Sequence, residues 1–317
     1  MHLQRRSALT TAITIAMALG LIGSPGSIAL ARTPDMQPNP VASGFQPSSL
    51  AFFDVDHGIV AGTIVCRTCA KRRTSAISTT ADGGHTWSSP TTFGPASVSS
   101  VTVVPGGLDA WALVGKRLEH SGDGGTTWSS IPHASVSDPS FATSVDGWAI
   151  RRTTVSSRVM ASSDGGATWA AASQPCRHAA RDALFVNRTS VADGWVVCGG
   201  DAAAGSRLQV VWKTTDGGTT WTREFHGLAP EPIGYRFLDD GRGWRWHAAF
   251  ADLFHTTDGG KTWHDIGSVG NVFVADLWFV SDANGFAITR RGNGSSQLLA
   301  STDTGAGWFG VARFPTN

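Results

Sequence analysis

An all-β chain folded into a β-propeller is the fold class this sequence predicts, and three observations carry it. The 317 residues include 38 glycines and 13 tryptophans but a single tyrosine, a balance of turn formers and bulky strand residues that fits many short strands. An eight-residue pattern, Ser/Thr-x-Asp-Gly-Gly-x-Thr-Trp, recurs along the chain. Its tryptophans lie 41, 41, 52, 42 and 45 residues apart, and a period of about 40 to 45 residues is the length of one four-stranded blade. Composition agrees with a core-forming chain: 41% of residues are hydrophobic and 15% charged. With 25 Lys+Arg against 24 Asp+Glu, no excess of positive charge points to nucleic acid.

The elements follow in chain order. Arg5 and Arg6 precede an apolar stretch from Ala8 to Ile22, and Ala29-Leu30-Ala31 has the small-x-small pattern that signal peptidase accepts. Residues 1–31 are therefore expected to be a signal peptide, and the mature chain to lie outside the cytoplasm: secreted, periplasmic or in the cell envelope. Gly20, Gly23, Pro25 and Gly26 break the run below the ~20 apolar residues of a membrane span, so no transmembrane segment is expected after cleavage. Gln4 to Leu9 faintly resembles a twin-arginine signal, which leaves the export route open. Residues 32–47, with Pro34, Pro38 and Pro40, read as a flexible lead-in. The propeller is expected over 48–317.

Within it the repeated pattern carries Asp82 and Trp87, Asp123 and Trp128, Asp164 and Trp169, Asp216 and Trp221, and Asp258 and Trp263. A decayed sixth copy holds Asp303 and Trp308, with Thr304 in place of the first glycine and Gly307 in place of the threonine. Asp accepts hydrogen bonds from N–H groups of its own turn, the glycines adopt positive φ, and the indole fills the gap between blades. Calcium is disfavoured because each copy offers one carboxylate where the ion takes six to eight oxygens. Before each copy comes an apolar strand, a polar turn, and a Gly-aromatic strand, as in Phe141 to Ile150. Blade one has Ile59 at the aromatic position and blade two has Ala110-Trp111. With strands lettered A to D outward, the repeated pattern is the turn between C and D.

This pattern resembles the Asp-box, or bacterial neuraminidase repeat, of sialidases, sortilin-type receptors and the photosystem II stability/assembly factor family. The whole unit is most similar to the last of these, over about residues 48 to 314. That resemblance implies a non-enzymatic propeller that binds another protein, in that family a photosystem II subunit during assembly. It also implies seven blades. Only six units fit between Ser48 and Phe314, so six is the expectation and seven the alternative. The segment around Phe45 is a candidate latch for ring closure.

Four cysteines in an exported chain suggest two disulfides. Cys176 precedes strand A of blade four and Cys198 ends its strand B, so both fall at one end of one blade. Cys66 and Cys69 share the B–C loop of blade one and form either a small-loop disulfide, a redox pair or half a zinc site. The first is favoured, since no thioredoxin-like pattern or second Cys-x-x-Cys accompanies them.

Charge sorts by loop. By these strand boundaries about 15 of the Lys+Arg fall in B–C and D–A loops and about 14 of the acids in A–B and C–D turns. The candidate binding face therefore comprises Arg67, Arg72, Arg73, Arg151, Arg152, Arg158, Arg177, Arg181, Arg245, Arg290 and Arg291. Arginine binds carboxylates bidentately, so the expected partner is an extracytoplasmic protein or an anionic glycan, bound by a monomer. A sialidase reading meets obstacles. The Arg-Ile-Pro motif is absent, Tyr235 is the single tyrosine, and the first inner strand supplies no arginine to accompany Arg151, Arg245 and Arg290. No nucleophile elbow, zincin motif or phosphate loop occurs, and no cofactor or metal is expected. Trp212, Trp246 and Trp278 are surplus to the repeat and would favour sugar binding if exposed.

Overall fold

The computed structural model describes residues 41–65, 73–131, 135–178, 180–232, 234–247, 251–270 and 272–315. Their strands form six antiparallel four-stranded sheets. Blade one holds β1 (Phe45–Phe52), β2 (His57–Val65), β3 (Arg73–Ala81) and β4 (Thr91–Gly94). Blade two holds β5 (Val98–Val103), β6 (Ala110–Val114), β7 (Arg117–Ser121) and β8 (Ser129–Ile131). Blade three holds β9 (Ser137–Phe141), β10 (Gly147–Arg152), β11 (Ser157–Ser162) and β12 (Ala170–Ala171). Blade four holds β13 (Asp182–Arg188), β14 (Gly194–Ala203), β15 (Ser206–Thr214) and β16 (Thr222–Pro230). Blade five holds β17 (Gly234–Phe237), β18 (Gly243–Trp246), β19 (Asp252–Thr256) and β20 (His264–Ser268). Blade six holds β21 (Phe273–Phe279), β22 (Gly285–Arg290), β23 (Ser296–Ser301) and β24 (Phe309–Phe314). The 52-residue interval has its cause before and within blade four, where a connection from Ala172 to Arg181 precedes β13 and where β14 and β15 run 10 and 9 residues.

Position within a blade explains strand composition. The second strands are covered on both faces by neighbouring blades, so β6 is buried at every residue and reads as a continuous apolar run. The outer strands are short, and β12 is two exposed alanines, which limits the open edge available for unwanted pairing.

A single device joins most blades. Phe52, Phe141, Phe237 and Phe279 end their inner strands opposite Gly58, Gly147, Gly243 and Gly285. A Cβ on any of these glycines would lie 2.4–2.5 Å from the facing ring, so glycine is what lets the ring lie flat on the strand. The aromatic of the preceding blade then stacks on it: Trp111 on Phe141 at 3.7 Å, Trp195 on Phe237 at 4.7 Å, and Trp244 on Phe279 at 3.7 Å. At the fourth blade Arg188 replaces the phenylalanine and lies 5.2 Å from the Trp148 ring.

Closure uses the same device. Phe286 stacks on Phe52 at 3.6 Å, and the Trp278 indole donates to the Phe52 carbonyl at 2.9 Å. Every sheet is drawn from one continuous stretch of chain, so no strand is exchanged across the seam. Phe45 packs edge-on against Phe314 at 5.9 Å. The candidate latch thus sits at the seam without joining the last sheet, and β1 starts three residues before the expected boundary. Cys176 and Cys198 are disulfide-bonded with Cα atoms 5.3 Å apart. Cys198 lies within β14 rather than at its end. Cys66 and Cys69 lie outside the described residues. Among the described residues no helix is long and apolar enough to cross a membrane.

Candidate functional site

The order A-B-C-D sends each B–C loop and D–A connection to one end of the ring, here termed the loop end, and the A–B and C–D turns to the other. At the loop end, Arg151 and Arg158 face each other across β10 and β11, and both are exposed. Like charges directly opposite repel, so this pair holds a local positive potential at some cost to the sheet. Arg73, Arg177 and Arg291 are also exposed, and none of these five arginines makes an ion pair among the described residues. Arg181 lies 3.8 Å from Asp201, with both groups largely in water, a pairing worth little. Arg67 and Arg72 lie outside the described residues.

Three of the candidate arginines do structural work. Arg152 bonds Asp138 at 2.9 Å and the carbonyls of Ala183 and Leu184 at 3.3 and 3.0 Å, tying blade three to blade four. Arg290 donates to the Pro47 carbonyl at 3.0 Å across the closing seam. Arg245 requires a correction. It is 8% exposed, and its guanidinium lies 4.7 Å from the Phe254 ring and 5.0 Å from the Trp263 ring. The reason is that β18 is buried at all four residues between its neighbours, so a charge near its end cannot reach the loops and stacks on aromatic faces instead.

Tyr235 is buried beside Arg245. Burial pushes its phenol up to about 12, with the Arg245 charge opposing, and its hydroxyl bonds the Gln209 side chain. Glu231, four residues before Tyr235 and the glutamate nearest to it in sequence, pairs with Arg207 at 3.0 Å. Trp246 and Trp278 are 5% and 7% exposed, packed between strands rather than offered to a ligand. Trp212 is half-buried and lines a flank cleft of about 370 Å³ with Arg177, His178, Arg223 and His226.

The inner strands enclose a channel of about 250 Å³ whose lining includes several serines, Asp138, and the opposite-charge couple Asp276 and Arg236. Asp276 accepts from Ser49 Oγ at 2.7 Å and from the Leu50 N–H at 3.0 Å. The carboxylate keeps some surface open to the channel but lies deep in the ring. Burial raises it to about 6, against the pull of these hydrogen bonds and Arg236. Burial likewise lowers Arg236 to about 9, with Asp276 opposing, and its guanidinium lies 3.6 Å from the Trp278 ring centre. Reasoning by loops overlooked both residues. The available signal was a charge placed inside an otherwise apolar inner strand.

At the opposite end the repeated turns share one hydrogen-bond scheme. Asp82 Oδ1 accepts from Thr80 Oγ1 at 2.8 Å and from the Thr86 N–H at 2.7 Å, while the Gly84 N–H donates to Thr80 Oγ1 at 2.9 Å. Asp123, Asp164, Asp216 and Asp258 repeat it. Asp303 keeps the serine and the Gly307 N–H but has lost the hydroxyl partner. The Thr127 N–H and hydroxyl hold Asp123 down at about 2, as the Thr220 hydroxyl and N–H hold Asp216. In the first five copies the threonine hydroxyl engages the other carboxylate oxygen as well, so both oxygens are held by the turn and the aspartates serve its structure. Trp128, Trp263 and Trp308 donate to Gly125, Gly260 and Gly305 at 2.9–3.0 Å; the indoles of Trp87, Trp169 and Trp221 are buried without a partner. Among the described residues no three His, Cys, Asp or Glu side chains converge to hold a metal.

A family model described as the DUF6242 beta propeller domain matches residues 56–226. The chain belongs to this family. The match runs from just before β2 of blade one into β16 of blade four. No curated protein matches the chain. Among solved structures, YCF48 bound to a D1 peptide is 21% identical over 87% of this chain and 84% of that one, with a TM-score of 0.53. Virginiamycin B lyase from Staphylococcus aureus is 14% identical over 82% and 86%, with a TM-score of 0.50. YCF48 from Cyanidioschyzon merolae is 17% identical over 86% and 87%, with a TM-score of 0.49. The first two similarities are similarities of fold.

Proposed function

We propose that this family member is an exported, non-enzymatic scaffold whose loop end binds an acidic segment of an extracytoplasmic protein. The observation that carries the reading is the set of exposed guanidinium groups at one end of the ring that make no ion pair among the described residues: Arg73, Arg151, Arg158, Arg177 and Arg291. Such groups keep their hydrogen-bond donors available for carboxylates and steer an anionic partner toward one face. The solved YCF48 structure with a D1 peptide supports a peptide as the class of ligand for this fold. The Cys176–Cys198 disulfide fits an oxidising compartment. The six turns read as Asp boxes of the assembly-factor type, with a structural role only.

The test uses the purified protein and a variant carrying Arg151→Glu, Arg158→Glu, Arg177→Glu and Arg291→Glu, which spares the structural Arg152, Arg245 and Arg290. Crosslinking capture from the host's envelope fraction is expected to retain a protein on wild type, with affinity at least about tenfold lower for the variant and falling steeply with salt. Equal retention by both proteins sinks the reading. One observation favours an anionic glycan as the second reading: the cleft where Trp212 lies with Arg177 and Arg223. Saturable binding on a glycan array, lost on Trp212→Ala, with no protein captured, is the result that would favour it.

A further inference from the structure

The junction between blades one and two departs from the others. The residue that follows the small residue facing the end of the inner strand (Gly58, Ala110, Gly147, Gly194, Gly243 or Gly285) is Ile59, Trp111, Trp148, Trp195, Trp244 or Phe286. Three of those tryptophans donate their indole N–H to a turn carbonyl of the next blade: Trp111 to Gly165 at 2.9 Å, Trp195 to Gly259 at 3.0 Å, and Trp244 to Thr304 at 3.0 Å. The corresponding carbonyl in blade two is that of Gly124, and Ile59 has no donor to offer it. The stacking partner is missing too, since Val103 stands where Phe141, Phe237 and Phe279 stand. Val103 faces Ala110, the alanine being tolerated where no ring needs the room. Behind the indole the cross-strand neighbour is His120 for Trp111 and His255 for Trp244, but Thr79 for Ile59.

Three positions that build the ring stack elsewhere are smaller here, and a cavity of about 730 Å³ lies at this junction, with Thr79 in its wall and Ile59 and Val103 behind it. Gly58, Thr79, Trp87, Leu108 and Gly124 line it. Leu108 is 61% exposed at the rim, and the buried indole N–H of Trp87 has no partner. Asp54 and Asp123 also line the cavity. Hydrogen bonds hold both below the usual carboxylate range, against some desolvation, so both are ionised at neutral pH, Asp54 with His57 of the same lining at 3.0 Å. The volume falls in the range of small-molecule sites, about 300–1,000 Å³.

We infer that the junction of blades one and two binds a small cationic molecule bearing an indole-type ring, its N–H donated to the Gly124 carbonyl. The chain's own repeat displays the fit, because the same turn carbonyl takes an indole at three other junctions. The ammonium group answers the negative charge of the two rim carboxylates, whose oxygens stay held by their own turns. This site lies at the turn end, opposite the arginines, and is independent of the function proposed above.

Tryptamine is the probe, titrated into the purified protein by calorimetry and by amide chemical-shift mapping. The expected result is saturable binding with shifts centred on Gly106 to Leu108 and Gly124. Indole-3-acetate, with its charge reversed, should bind at least tenfold more weakly, and the benzothiophene analogue of tryptamine, which lacks the N–H, about tenfold more weakly. Ile59→Trp should abolish binding by filling the slot from within. Leu108→Arg, at an exposed position that leaves the core untouched, should weaken it at least tenfold through charge at the mouth. Absence of saturable tryptamine binding, shifts elsewhere, undiminished affinity in Leu108→Arg, or binding of a tryptophan-containing peptide but not of tryptamine would each overturn the inference.

Discussion

Gly147 shows how a single missing side chain organises a blade junction. Its Cβ would lie 2.4 Å from the Phe141 ring, and that ring carries the Trp111 stack. Gly147→Ala is expected to cost about 1–3 kcal/mol through overpacking, read as a lower urea midpoint. The protein contains its own control, since blade two pairs Ala110 with Val103. Phe141→Val alone should cost about 1–3 kcal/mol by opening a cavity. The double variant should then cost clearly less than the sum, a coupling that a double-mutant cycle measures. Strict additivity would show that glycine is retained there for some reason other than the ring. Arg188 illustrates the limit of reading by pattern: it occupies a phenylalanine position and meets Trp148 through its charge, which residue type alone does not announce.

The repeated turn is the element that propagates the fold, and its hydrogen bonds define what a copy must keep. In the sixth copy Thr304 adopts φ 67° where the other copies place glycine. A non-glycine residue pays about 1–2 kcal/mol for that conformation, partly offset by the greater freedom glycine loses on folding. Thr304→Gly should therefore stabilise the protein by about 0.5–1 kcal/mol, seen as a higher denaturation midpoint. The Trp244 indole would be unaffected, because its acceptor is the backbone carbonyl. A destabilised variant would mean that the threonine side chain makes a contribution the turn geometry does not reveal. The turns were readable in the sequence because Asp, Gly and Trp act locally, within eight residues. The stacking of an aromatic on the next blade's phenylalanine was not, since its partners are about 30 to 40 residues apart or, at closure, at opposite ends of the chain.

For the molecule as a whole, the inner strands are joined by side-chain acceptors for backbone N–H groups: Ser49 for Val101, Ser140 for Arg188, Asn187 for Phe237 and, at the closing seam, Asp276 for Leu50. The seam is the one of these junctions that uses a carboxylate, and it carries a pH signature. Burial pushes the Asp276 carboxyl up to about 6 in the folded state, against 3.8 for an unperturbed aspartate. The folded state therefore binds the extra proton, and stability falls as pH rises from about 4 to about 6. The shift corresponds to roughly 2–3 kcal/mol. The turn aspartates act in the opposite direction: their lowered values contribute stability that is present above about pH 4 and lost as pH falls toward 2. Wild type should thus be most stable near pH 4–5. In Asp276→Asn, which keeps an acceptor for Leu50, the decline between pH 4 and 6 should vanish in urea titrations, while the acid limb stays. A decline that persists in the variant would remove Asp276 as its source.

By itself the sequence determined the repeat, its six copies and the turn chemistry, because each of these is encoded within one unit of about 40 residues, whereas the closed ring settled six blades over seven. The Cys176–Cys198 pairing was also readable, since both residues belong to one blade. Only the tertiary structure decided which charges are free. Arg151, Arg158 and Arg245 are alike on paper, yet the first two reach solvent and the third is enclosed by three aromatic rings. The cavity between blades one and two and the Asp276 seam likewise arise where separate units meet. Solvation, burial and shape at a junction depend on what the neighbouring blade supplies, and that is a property of the closed ring rather than of any one repeat.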